Sequence, residues 1–254
     1  MCMFNVFIFI LGVAIGSFLN VLIDRLVDEE TIMGRSHCDH CKKTLEPLDL
    51  IPIVSFVFLR GKCRYCHTKL SWQYPVIEFL TGIIFVGIMN NSLILIPNSL
   101  FHLSIACVFI VIFVADLKKH IIPDEMQIAL FVTVFFLKVF QGMTVVGFGY
   151  ALIEGMIVMT PILFLYLLTK GRGMGFGDVK LALNIGFFVG IKAGLISLYI
   201  AFITGAIVGA VMLLTKRKKM KSKIAFGPFI ILGVVIMILF KDQIFPIILQ
   251  IYGL

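Results

Sequence analysis

Eight runs of apolar residues fall near 4–23, 75–90, 98–116, 125–140, 148–169, 179–191, 194–215 and 225–240, and they leave the chain little choice of environment. Runs of about 15 to 22 residues suit a bilayer crossing. Hydrophobic residues make up 60% of the 254 and charged residues 14%, with a mean hydropathy of +1.08. That composition excludes an ordinary soluble domain. The expected fold is all-α: a polytopic integral membrane protein of about eight transmembrane helices. The sixth run is short, and its boundary with the seventh is expected near Lys192.

The basic residues orient such a bundle. With Met1 outside, 19 of the 22 Lys and Arg fall inside: 13 between Arg25 and Lys180, and the run Lys216, Arg217, Lys218, Lys219, Lys221 and Lys223. Only Lys138, Lys192 and Lys241 stay outside, as the positive-inside rule requires. The +8 net charge then reflects topology and contact with anionic lipid in the bilayer, with no nucleic-acid partner implied. Residues 1–24 lack a basic leading region, and Arg25 follows the apolar run, so they read as a retained first helix rather than a signal peptide. Gly16, Ser17, Asn20 and Asp24 recur at spacings of three or four on one face of it, which suits close helix packing with Asn20 bonded to a neighbour.

Residues 25–72 form the one polar segment long enough to be a domain, set between the first helix at 1–24 and a seven-helix membrane part at 73–254. Cys38 and Cys41, then Cys63 and Cys66, make two C-x2-C pairs separated by 21 residues. The pairs repeat each other as CDHCKKTL and CRYCHTKL, each with a leucine four residues past its second cysteine. In a reducing interior compartment this pattern predicts a tetrahedral structural zinc site in a small cytoplasmic zinc-knuckle loop domain. Four thiolates close the metal's shell, so no chemistry is expected there. His37, His40 and His67 read as surface neighbours, and Cys2 and Cys107 as apolar packing. The apolar DLIPIVSFVFL between the knuckles is too short to span and suits the membrane interface.

The second helix opens with Trp72, Tyr74 and Pro75 at the interface. Glu78 lies one turn further in, where either the helix's positive end or a substrate explains a carboxylate equally well. Asp124 and Glu125 look like an ordinary acidic helix start, and Glu154 like a packed or snorkelling side chain. Asp116 differs: it closes the third run, where the helix dipole disfavours an anion. The glycine-rich GRGMGFGDVK (171–180) then delivers Asp178 to the start of another helix at the same membrane face, where the dipole favours an anion. Carboxylates held in contrasting environments can serve as acid and base around one water. Two unrelated aspartates that cap helices or pair with lysines would leave the same pattern, and the sequence keeps both readings open.

VADLKKHIIPD and GFGDVK resemble the two aspartate motifs of the type IV prepilin leader peptidases; the second is the G-x-G-D signature also found in presenilin-type intramembrane aspartyl proteases. GSFLNVLIDRL, the paired knuckles, SWQYPVIEFLTG and AFGPF (225–229) match that family in order, so the resemblance covers nearly the whole chain. It implies an enzyme of the prokaryotic cell membrane that cuts the basic leader from prepilins and pseudopilins on the cytoplasmic side, after a glycine. The same enzyme would then methylate the new N-terminal amine with S-adenosylmethionine. On that resemblance Asp116 and Asp178 are the protease pair, Glu78 lies in the stretch tied to methyl transfer, the four cysteines are the zinc loop and Pro228 lies near the substrate. The glycine loop is no nucleotide fingerprint, because the sixth position counted from Gly171 is Phe176. A transporter or ion channel also uses intramembrane carboxylates, but these acids gather at the inner threshold rather than at mid-depth. A scaffold docking a cytosolic partner through its zinc loop leaves both aspartates unexplained.

Overall fold

Each of the eight apolar runs folds as a helix, the conformation that satisfies its own backbone amides. The computed structural model describes residues 2–31, 34–38, 40–90, 96–215 and 225–252. Its helices are α1 (Cys2–Val27), the short α2 (Val54–Phe58), α3 (Gln73–Met89), α4 (Ile96–Lys119), α5 (Asp124–Phe140), α6 (Val145–Thr169), α7 (Phe176–Val189), α8 (Ile191–Leu214) and α9 (Gly227–Tyr252). Among the described residues there is no strand, only the isolated bridges His37–Thr44 and Lys62–Lys69.

Among the described residues, four helices are long and apolar enough to cross a membrane: Met3–Val27, Asn98–Lys119, Val145–Thr169 and Ile191–Leu214. Gln73–Met89 and Gly227–Phe240 are apolar but shorter, and α9 breaks at Phe240. The 14 residues of α7 reach about 21 Å, against a hydrocarbon core of about 30 Å. It ends at Gly190, whose φ of +84° also starts α8, two residues from the boundary expected at Lys192. The basic run 216–223, on which much of the orientation argument rests, lies outside the described residues.

The chain divides into two compact units, Met1–Val111 and Ile112–Leu254, with the boundary inside α4. In the first, α1 packs along α3 through small residues: a Cβ on Gly12 would sit 2.8 Å from the Cα of Gly82, and one on Gly16 2.8 Å from the Cα of Glu78. The polar face expected on α1 is turned to this contact. Asn20 is buried and donates to the Tyr74 carbonyl at 3.0 Å, while Tyr74 donates its hydroxyl proton to Asp24 at 2.9 Å.

In the second unit α7 is the central element, packed against α5, α6, α8 and α9. Leu181, Ala182, Ile185 and Phe187 on it are fully buried. Its crossing with α6 depends on two glycines. A Cβ on Gly186 would fall 2.7 Å from the Cβ of Val158, and one on Gly155 2.8 Å from the carbonyl oxygen of Leu183. Gly186→Val should therefore force α6 and α7 apart, costing about 1–3 kcal/mol and lowering the thermal unfolding midpoint in detergent micelles.

Candidate functional site

The first unit carries the four cysteines, and the sequence repeat there is a structural one. In the first knuckle the Cys38 amide donates to Lys43 (3.0 Å), Lys42 to Cys38 (2.7 Å) and Leu45 to Ser36 (2.9 Å). In the second, Cys63 donates to Thr68 (2.9 Å), His67 to Cys63 (3.0 Å) and Leu70 to Gly61 (2.8 Å). Lys42 and His67 take the same left-handed turn, with φ of 54° and 57°. These turns bring the four Sγ atoms within 4.8 Å of one another. Cys38 and Cys66 are 3.8 Å apart, far too long for a disulfide but matching the separation of about 3.8 Å for two sulfurs each 2.3 Å from a tetrahedral zinc. The Thr68 hydroxyl and backbone amide hold the Cys66 thiol down to about 6, toward the thiolate that binds metal. The donor set therefore fits a structural zinc ion, and no histidine joins it.

Glu78 is buried, and its carboxylate accepts the Ile53 amide at 2.7 Å. Ile53 starts α2 with φ +61° and ψ −49°, a conformation that a β-branched residue holds only when its surroundings enforce it. Glu78 thus ties the segment between the knuckles to α3. It also borders a cavity of about 170 Å³, lined from α1 and α3 by Asn20, Asp24, Arg25 and Tyr74 and from the loop by Phe56.

Both aspartates lie in the second unit, buried to 4% and 7% exposure. Asp178 is the third residue of α7, and its carboxylate accepts the amide of Gly175, the residue before the helix, at 3.0 Å. Asp116 lies one turn short of the end of α4, but its carboxylate does not face that unfavourable end alone. It accepts the amide of Gly227, first residue of α9, at 2.8 Å. A Cβ on Gly227 would sit 2.7 Å from the same carboxylate oxygen. AFGPF therefore contributes a backbone donor at Gly227, beside the Pro228 to which the sequence drew attention. Ile122 lies against both Gly177 and Gly227, so the fold gathers the residue before Asp178 and the residue whose amide holds Asp116 around one side chain. Asp124 is paired with Lys180 at 2.7 Å.

Three participants escaped the sequence reading. Ile122, just before α5, lies against both Gly177 and Gly227, and an isoleucine in an apolar protein carries no signal of that role. Gln127 and Asn184 are buried amides that connect α5 to α7. A polar side chain within an apolar run was signal enough to single them out.

Residues 10–91 match the bacterial peptidase A24 N-terminal domain, and residues 103–210 match the type IV leader peptidase family. The chain is 31% identical to a prepilin leader peptidase/N-methyltransferase of Aeromonas hydrophila, over 93% of this chain and 91% of that one. It is 32% identical to the protein of the same description from Bacillus subtilis, over 93% and 94%. A third, from Stutzerimonas stutzeri, is 24% identical over 92% and 90%. No solved structure matches the chain.

Metal analysis of the purified protein should find about one zinc per chain. Replacing Cys38 and Cys63 together by serine should remove it and expose the knuckles to protease; a metal-free wild-type protein with an intact loop would refute the site.

Proposed function

Because the chain belongs to the type IV leader peptidase family, we propose that it removes the basic leader of prepilins and pseudopilins with Asp116 and Asp178, at the cytoplasmic face of a prokaryotic cell membrane. It is an aspartic endopeptidase that carries N-methyltransferase activity as well. The observation that carries the reading is the burial of two carboxylates in one unit, each accepting a backbone amide where a helix begins, Gly175 for Asp178 and Gly227 for Asp116. Chance interfacial aspartates would cap their helices in water.

The pair acts as one titrating unit. One carboxylate takes a proton from a water held between them while that water's oxygen adds to the scissile carbonyl carbon. The other carboxyl gives its proton to the carbonyl oxygen. Collapse of the tetrahedral adduct returns a hydroxyl proton to the second carboxylate, restores the carbonyl and breaks the C–N bond, and the leaving amine takes the proton first removed from water. The Gly175 and Gly227 amides fix both carboxylates without supplying a competing cation, so the pair can share a proton. Pro228, in the first turn of α9, would face the extended substrate, in keeping with the resemblance of AFGPF to the family.

The amine released by cleavage is the acceptor for methylation. S-adenosylmethionine supplies the methyl group to it when bound. Glu78, Asp24, Asn20 and Tyr74 around the cavity of the first unit would hold that donor, carboxylates suiting its positive sulfonium and its sugar hydroxyls. The zinc-knuckle domain at 25–72 shapes that wall, and the membrane part from 73 onward carries the protease.

Asp116→Asn and Asp178→Asn should each abolish leader removal from a prepilin, read as product mass, while the protein stays folded and inserted; normal cleavage by either rejects the pair. Glu78→Gln keeps an acceptor for Ile53, so it should spare cleavage and impair methylation. Equal loss of both activities would make Glu78 purely architectural.

A further inference from the structure

Gln127 and Asn184 are each 4% exposed, one on α5 and the other on α7, and the mechanism above uses neither. Asn184 Nδ2 donates to the Gln127 side-chain oxygen at 2.8 Å and to its backbone carbonyl at 3.2 Å. Gln127 Nε2 in turn donates to the Gly177 carbonyl at 3.0 Å. A backbone carbonyl accepts only, so each end of this chain fixes which way its amide points. The chain of bonds ends on the peptide that immediately precedes Asp178.

Its middle member, Gln127, is on the helix that follows Asp116 in the chain. Gln127 lies in the opening turns of α5, directly after the connection that follows α4. Ile122 in that connection would lie 3.0 Å from a Cβ on Gly177 and 3.2 Å from one on Gly227, the residue whose amide holds Asp116. Lys180 and Asp124 also tie α7 to α5, but in an exposed contact that water and salt weaken. Buried amide bonds lack that screening, and leaving one unmade is costly.

We propose that Gln127, oriented by Asn184, is a positioning residue for the aspartate pair: it locks the first turn of α7 to the start of α5 and so sets the separation of Asp116 and Asp178. The inference rests on the two aspartates being the protease pair. Holding groups in a reactive arrangement matters steeply, since a displacement of about 1 Å costs about a hundredfold in rate. Such a loss falls on kcat, because leader binding does not pass through this network.

The test compares wild-type enzyme with Gln127→Met, which keeps the side chain's length and removes both of its bonds, with Asn184→Leu and with the double variant. Cleavage kinetics on a prepilin and methylation of a pre-cleaved peptide are measured for each. Gln127→Met should lower kcat for cleavage about ten- to a hundredfold with KM within about twofold, and methylation should be unchanged. The double variant should be no slower than Gln127→Met alone, since Asn184 acts through Gln127. Thr133→Val, which removes a hydroxyl bond to Ala129 further along α5, should behave as wild type. Wild-type kcat in Gln127→Met, or a parallel fall in methylation, overturns the proposal. The two readings fail separately: cleavage by Asp116→Asn sinks the pair itself, whereas an inactive Asp116→Asn beside a fully active Gln127→Met sinks only the positioning role.

Discussion

An acidic side chain near a hydrocarbon layer is tolerable only where donors replace the water it has lost. In the second unit those donors are backbone amides at helix starts: Gly175 for Asp178 and Gly227 for Asp116. An amide lowers the cost of burial without bringing a formal charge. A lysine or arginine in the same place would pin its aspartate as a salt bridge and rule out the proton sharing proposed for the pair. Much of the surrounding architecture serves this arrangement. The glycine loop lets α7 start where Asp178 can reach back to cap it, and Gly227 gives α9 a first residue with no side chain to fill the space Asp116 occupies.

The first unit solves a different problem, holding a polar loop against an apolar helix pair. Its two knuckles share one hydrogen-bond pattern, so the thiols converge by local turn geometry before any metal is considered. Glu78 then joins this loop to α3 through the Ile53 amide. The close approach of α1 and α3, permitted by Gly12, Gly16 and Gly82, places the polar face of α1 beside the same carboxylate. A hydrophobic alternative at Glu78 would pack, but it would leave Ile53 without its acceptor.

How the helices pack follows from what a bilayer withholds. Lipid gives no hydrophobic reward for helix association, so contact depends on small residues and on interhelical polar bonds. Gly155 and Gly186 supply the first between α6 and α7, and Gln127 with Asn184 the second between α5 and α7. Because α7 takes part in both, the residues that fix its position also fix Asp178.

The linear pattern determined the helices, the cysteine repeat and the existence of two acids at helix ends, because each is written in local terms: apolar run length, residue spacing, and a charge beside a hydrophobic stretch. It also carried the family, through motifs that keep their order. The membrane path of each helix was less legible, since a run like that of α7 is apolar throughout yet short, and hydropathy does not measure what a neighbour covers. Partners across the fold were not legible at all. That Asp116 would meet the amide of Gly227, that Glu78 would hold Ile53, and that Gln127 would reach Gly177 depend on contacts between residues far apart in the chain. Only tertiary structure decides such pairs, because hydrogen bonds are short and directional while sequence spacing constrains only what lies on one element.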